Sequence, residues 1–349
     1  MRTILLRNKL DENLLMKWND LWNKSEEGHF FNTPEWLLAY CRSHGVKNFS
    51  IVTIEDDDEL LLVLPLVKER FFGISAYGSP GGKYLNKSSL LIKNIDKELL
   101  QELINYLIKQ GNFCLKELSA ELADIIEKID NRLIKKESSI NPYINLDDPY
   151  KFLSNKQRNK IRNTIARNKN ALRYESFTGD MNALNLVFEM DKRSSRTKKG
   201  KATFVDDTDR KFCQDMLKSL PKNFQIDLLY YEKDLICYSI ELAFKKVIQA
   251  FNTGYNENYR QLRPGKILTY LLLDRLKNEN YEILDFSRGN SILKQEFTSL
   301  LKKNYEILFS KNLFVMLWWE AAERLSTAMQ ENKFLYKQYL FFKKVFLYK

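Results

Sequence analysis

The chain has 349 residues, room for two domains that each bury a core. Hydrophobic content of 44% and aromatic content of 13% are those of a folded globular protein and argue against a disordered chain. The net charge of +11 points to an anionic partner, whether nucleic acid, a phosphorylated small molecule or an acidic membrane face, without choosing among them.

The first ten residues, MRTILLRNKL, carry too short an apolar run for a secretory signal. No window approaches eighteen apolar residues, so the chain is expected to be cytoplasmic. Four cysteines, Cys41, Cys114, Cys213 and Cys237, form no C-x-x-C pair, which argues against a disulfide framework or a zinc knuckle. Cys41 and His44 make a lone C-x-x-H. Cys41 is therefore read as a core-facing helical cysteine, and no metal is expected.

In chain order, Asn32-Thr33-Pro34 opens a helix over 33–41. "FSIVTI" (49–54) and "ELLLVLPLV" (59–67) read as strands about an acidic turn. A Gly/Pro loop (77–86) follows, then a helix over 97–109 with Leu99, Leu100, Leu103 and Leu107 on one face, and a strand at 113–119. The second half repeats this order: strands at 224–231, 235–244 and 247–255, a loop at 256–266, a helix over 264–278 and a strand at 281–287. Sliding the first half by about 175 positions lays like on like, which predicts a structural duplication.

Between the halves, "SNKQRNKIRNTIARNKNALRY" (154–174) holds seven Lys/Arg and no acid. Ile161, Ile165 and Leu172 share a helical face, which predicts a basic linker helix across the segment. A second basic run, "DKRSSRTKKGKATF" (191–204), lacks apolar periodicity and is expected to be a loop. The tail 312–349 reads as an amphipathic helix rich in aromatics and lysine. It packs on its own protein or lies at an anionic membrane face. The expected domains are 1–150, the basic helix 151–175, 176–311 and the tail 312–349.

Two constellations carry chemistry. Arg263-Pro264-Gly265 stands where a helix begins directly after a strand and loop, and such an N-terminus receives phosphate well. "YEILDFSRGNSILKQEF" (281–297) ends a strand with Asp285 and sets Arg288 and Lys294 beyond a glycine turn. By spacing alone this also fits an Asp–Arg/Lys pair at a strand end, with Phe286 and Phe297 in the core.

These elements resemble the GNAT (N-acetyltransferase) superfamily, specifically its CelD-like acetyltransferases, which are relatives of the Fem-type aminoacyl transferases. The likeness rests on Phe31-Asn32-Thr33-Pro34-Glu35-Trp36, the basic helix Arg158 to Arg167, Tyr255 before Pro264-Gly265-Lys266-Ile267-Leu268, and the segment holding Asp285, Phe286, Gly289, Lys294 and Phe297. It covers roughly residues 28–310. It implies an α/β (α+β) fold of two tandem GNAT-like domains, each a mixed twisted sheet flanked by helices, with acyl-carrier binding kept in the second. It further implies acetyl-CoA or another acyl-CoA as co-substrate, held at Arg263, Gly265, Lys266 and Tyr255. Asp285, Lys294 and Arg288 would be catalytic, with Lys294 placed to stabilise the leaving group. Trp36, Arg158, Arg162 and Arg193 would face an anionic small-molecule, glycan or lipid-linked acceptor of the cell envelope. The carrier loop departs from the general GNAT spacing at Gln261 and Ile267. The Fem-type alternative brings a tRNA partner, although 154–174 is too short for the long helical hairpin of several such enzymes. A further alternative is a non-catalytic nucleic-acid- or membrane-binding protein on a degenerate fold. Under the membrane reading the chain sits at the inner membrane face.

Overall fold

The structure is a computed structural model that describes residues 2–130, 132–194, 203–204 and 206–331. It forms two compact units: Met1–Leu37 with Val46–Ser139 and Lys303–Lys349, and Leu38–Gly45 with Ile140–Lys302. The first unit contains β1 (Arg2–Arg7), α1 (Glu12–Lys24), the start of α2 (Pro34–His44), β2 (Phe49–Asp56), β3 (Glu59–Phe71), β4 (Ile74–Gly78), β5 (Leu91–Ile92), α3 (Lys97–Gln110), β6 (Asn112–Ser119) and α4 (Ala120–Ile129). Strand β7 (Ile134–Asn145) leads into the second unit. That unit holds α5 (Asn155–Arg167), β8 (Leu172–Thr178), α6 (Met181–Asp191), α7 (Asp207–Ser219), β9 (Phe224–Tyr231), β10 (Asp234–Phe244), β11 (Val247–Tyr255), α8 (Pro264–Asn278), β12 (Ile283–Asp285) and α9 (Ile292–Phe297). Strand β13 (Leu301–Ser310) and α10 (Leu313–Glu331) return to the first.

The duplication is visible in the pairing. In unit 1, β1, β2, β3 and β4 pair antiparallel in turn, and β6 then lies parallel to β4 across helix α3. In unit 2, β8, β9, β10 and β11 do the same, and β12 lies parallel to β11 across helix α8. A parallel pair needs such a crossover helix, which is why each half carries one long helix at that point. The closing strands are exchanged: β7 pairs antiparallel with β12, and β13 with β6. Each unit is thus completed by a strand from the other half of the sequence.

Strands β9 and β10 are buried almost end to end, as their near-continuous apolar runs require when both faces are covered. The expected helices at 97–109 and 264–278 form as read. The basic segment does not stay helical to 174. Helix α5 ends at Arg167, where the Asn168 side chain donates to Thr164 O at 2.8 Å. The Asn168 carbonyl accepts from Ala171 and Leu172, turning the chain. Leu172 then opens β8 opposite Tyr231 rather than continuing a helical face.

A polar clamp ties α8 to the sheet. Asp227 is fully buried in β9, and Arg275 of α8 reaches its Oδ2 at 2.8 Å. The same guanidinium donates to Gln225 Oε1 at 2.9 Å and pairs with Glu279 at 2.7 Å. Tyr174 donates its hydroxyl to the other Asp227 oxygen and accepts from Arg275 Nε at 3.2 Å. Glu241 of β10 is buried on the same face of the hairpin, since Ser239 pairs with Asp227 and Glu241 with Gln225. Burial, and then the Asp227 charge, push its carboxyl well above the usual range. A carboxyl raised in the folded state keeps its proton while the unfolded chain releases it. Folding therefore loses about 1.4 kcal/mol per pH unit between the unfolded and folded pKa values. Glu241→Gln removes that slope. Urea midpoints at pH 5 and pH 8 should show the variant gaining on the parent as pH rises; parallel pH profiles would mean that Glu241 is already ionised in the fold.

Candidate functional site

Helix α8 begins without a cap. Arg263 stands at its N-cap in the left-handed region (φ 55°, ψ 52°), no side chain bonds the first turn, and Pro264 follows at the first helical position. Pro264 has no N–H, and those of Lys266 and Ile267 donate to Arg263 O at 2.9 and 3.4 Å, so the Gly265 N–H and the helix dipole make this end partially positive. The matching helix of unit 1 differs: the Asp96 carboxylate caps α3, accepting from Glu98 N at 2.8 Å and Leu99 N at 3.5 Å.

A cleft of about 90 Å³ opens at the α8 start. Gln157, Lys160 and Thr164 of α5 line it, with Arg263, Lys266 and Glu296. The structure thus joins Arg263 and Lys266 to a third cation, Lys160, that spacing had left among the general charge of its helix. Gln157, Lys160 and Thr164 fall at i, i+3 and i+7, one stripe of α5, and that spacing was the available signal. Lys266 is ion-paired to Glu296 of α9, a residue that no motif singles out. Gly265 lies in the first turn, and a Cβ there would sit 3.5 Å from Leu293 Cδ2, an ordinary contact. Tyr255, at the end of β11, packs with Ile267 and Leu268 beneath the helix.

Beside this end the sheet opens. The β11–β12 ladder stops at Gln249–Asp285 while β11 runs on to Tyr255. Opposite it, a bulge lies in the β10–β11 pairing at Ile240/Glu241. The chain leaves β12 through a tight turn: Asp285 is buried, its Oδ1 accepts from Ser287 N at 2.7 Å, and Ser287 adopts φ 58°. The Ser287 hydroxyl donates to Ala250 O, which ties the turn back to β11. Gly289 (φ 90°) donates its N–H to Ile140 O at 2.9 Å. Lys294 of α9 then places its ammonium against Ser287 O at 3.0 Å and Arg288 O at 2.8 Å. Asp285, Arg288 and Lys294 therefore share one turn. The helix that follows it touches the α8 start through Leu293 and Glu296.

The remaining expected residues lie elsewhere. Arg158 donates to Leu153 O at 3.1 Å and Tyr150 O at 2.8 Å, while Arg162 is exposed. Arg193 is exposed just past α6, and most of its basic run, residues 195–202, lies outside the described residues. Trp36 is fully buried in unit 1, its indole N–H on Pro80 O at 2.9 Å. The ring lies so close to Gly81 (φ 126°) that a Cβ there would fall 2.8 Å away. Trp36 is a packing residue that presents no face to an acceptor, a correction to the sequence reading. All four cysteines are buried, and among the described residues no group of His, Cys, Asp and Glu could hold a metal ion.

Residues 155–295, which run from α5 through most of α9, match the acetyltransferase (GNAT) domain family. The structure of FemX superposes with a TM-score of 0.65 at 10% identity, covering 89% of this chain and 98% of that one. A conserved protein of unknown function from Bacteroides thetaiotaomicron gives 0.60 at 13% identity, covering 88% and 100%. The C-terminal domain of a putative lysylphosphatidylglycerol synthetase from Agrobacterium fabrum gives 0.57 at 9%, covering 90% and 95%. These likenesses show a shared fold. No curated protein matches the sequence.

The ion pair at the α8 start sets a measurable competition, because the Glu296 carboxylate already neutralises one of the cleft's cations. Glu296→Gln should raise the affinity for inorganic diphosphate several-fold at low salt, read by calorimetry. A fall instead would show that the pair holds Lys266 in its binding position.

Proposed function

We propose that this chain transfers an acyl group, acetyl in the simplest case, from coenzyme A to an amine or hydroxyl of a cell-envelope or polysaccharide precursor. The observation that carries the reading is the uncapped α8 start facing a cleft with Lys160, Arg263 and Lys266. The Gly265 N–H, the positive end of the helix dipole and three cations there suit a diphosphate. The family match over the same residues supports it. A carrier held at that point would reach its thioester along the edge of β11 left open beyond β12, toward the Asp285 turn.

In the transfer, the acceptor nitrogen or oxygen attacks the thioester carbonyl, the C–S bond breaks, and the thiolate leaves. A proton passes from the acceptor to a base and one is taken up by the sulfur. Lys294, fixed by two carbonyls, is the cation assigned to the departing thiolate. Asp285, buried at the strand end, orients the turn or takes the acceptor proton. Arg288 adds charge beside them.

Calorimetry with acetyl-CoA and free CoA tests the carrier site. Micromolar binding, about −8 kcal/mol, should survive Gly265→Ala, whose Cβ has room, and vanish in Gly265→Glu, whose charge would sit at the helix start. Absence of binding would sink the acyl-CoA reading and turn attention to charged tRNA. With binding established, thiol release against a panel of amino sugars tests the chemistry. Lys294→Ala should lower turnover about 10²–10³-fold while leaving carrier affinity within a few-fold. An equal fall in affinity would make Lys294 a prop of the turn alone.

A further inference from the structure

Strand β11 buries a hydrogen-bond donor that the fold does not use. Ile248 of β11 and Leu284 of β12 pack with Leu272, Leu273 and Leu276 of α8. Successive side chains of a strand alternate faces, so the next residues, Gln249 and Asp285, point to the opposite face. They stand side by side in the last rung of the β11–β12 ladder, just before the sheet opens. The bulge in the β10–β11 pairing adds Asn252 to this face: Gln249 lies opposite Leu242 and Asn252 opposite Ile240, two residues of β10 that share a face. The polar neighbours are bonded. The Tyr238 hydroxyl lies 3.0 Å from Asn252 Oδ1 and 2.8 Å from Asp191 Oδ1, and Asp285 Oδ1 accepts from Ser287 N. Gln249 is the exception. It is 4% exposed, and its amide nitrogen is buried with no hydrogen-bond partner among the described residues.

A buried donor left unpaired costs stability, and a leucine of similar size would avoid that cost. Its position says what it serves. The open edge of β11 begins at this rung, so an acyl carbonyl lodged where the sheet parts has Gln249 and Asp285 as its immediate neighbours. We propose that the Gln249 amide donates to the carbonyl oxygen of the acyl group and stabilises the charge that gathers on it. This role rests on the acyl-transfer reading and gives that reaction a further catalytic residue. As the acceptor nitrogen or oxygen bonds to the carbonyl carbon, the C=O π pair moves onto the oxygen. The pair returns as the C–S bond breaks and the thiolate leaves. Gln249 gives up no proton in either step; it supplies an N–H dipole fixed in place where water is excluded, the setting in which such a donor is most effective. The amide then serves the oxygen while the Lys294 ammonium serves the sulfur.

The test compares the parent with Gln249→Leu, and with Gln249→Met if the first variant fails to fold. Thiol release from acetyl-CoA should fall about 10²–10³-fold in kcat, with carrier affinity by calorimetry within a few-fold of the parent. The urea midpoint should stay level or rise, since an unpaired buried donor has been removed. With acetyl-CoA labelled with carbon-13 at the acetyl carbonyl, the infrared carbonyl band of the bound ligand should lie lower in the parent than in the variant, because a hydrogen bond weakens the C=O bond. A variant with parental kcat and an unmoved band would overturn the proposal. A lower urea midpoint together with lost activity would overturn it by making the amide a structural prop. A rise in acceptor KM at unchanged kcat would overturn it by giving the donor to the acceptor. A parent that binds no acetyl-CoA would remove the acyl-CoA reading and this role with it, an outcome that calorimetry separates from the others.

Discussion

The ion pair between Arg275 and Asp227 is the constraint around which the second unit is arranged. Asp227 sits at full burial in β9, a position that a cation with well-placed hydrogen bonds makes tolerable. Helix α8 supplies that cation from its last turn, so its C-terminal half cannot slide or rotate without stranding a buried charge. Its N-terminal half rests on Ile267 and Leu268, packed with Leu229, Ile236 and Cys237. A helix fixed in this way at one end and along one face can leave its first turn open. No side-chain cap is needed there to hold the helix in place.

The two halves show what happens when the same element order serves different ends. In unit 1 the helix at this position begins under the Asp96 carboxylate, which fills the place an anion would take. The loop before it is closed by Trp36 against Gly81 and by buried Ser88, Ser89 and Asn86. In unit 2 a left-handed arginine replaces the acidic cap and cations line the opening. A carboxylate caps this helix in one unit and no side chain caps it in the other, and a fixed internal anion at such an end competes with a diffusible one for the same partial charge.

Much of this was legible in the sequence, and the exceptions have a common cause. Strands β9 to β11 and helices α3 and α8 were read correctly because their apolar runs or stripes are long and their ends carry turn residues. Strand β7, IKKESSINPYIN, was missed because only its last residues are deeply buried, which leaves little hydrophobic signal. Leu172 was assigned to a helical face, but pairing with Tyr231 outweighs a local preference the Asn168–Asn170 run makes weak. The exchange of β7 and β13 between the units is a tertiary choice that no local pattern records. At the site, Arg263, Gly265 and Lys266 were found from a motif. Lys160 and Glu296 belong to it only through the packing of α5 and α9 on α8. The clamp has a sequence signal of its own: a carboxylate, Asp227, in the middle of an otherwise apolar strand calls for a cation on the covering helix.

The two lysines near the α8 start illustrate how the surroundings of one side-chain type set its use. Lys266 is bound to a carboxylate, so its charge is largely compensated within the fold. Lys294 donates to two carbonyl oxygens, which orient its ammonium. A cation immobilised in that way costs little reorganisation when negative charge develops nearby, the condition under which electrostatic stabilisation of a departing thiolate is most effective. The left-handed Ser287 is what makes the arrangement possible. Its φ turns the carbonyls of residues 287 and 288 toward α9, and the bond from its hydroxyl to Ala250 O anchors that strained turn to the strand beside which the carrier would lie.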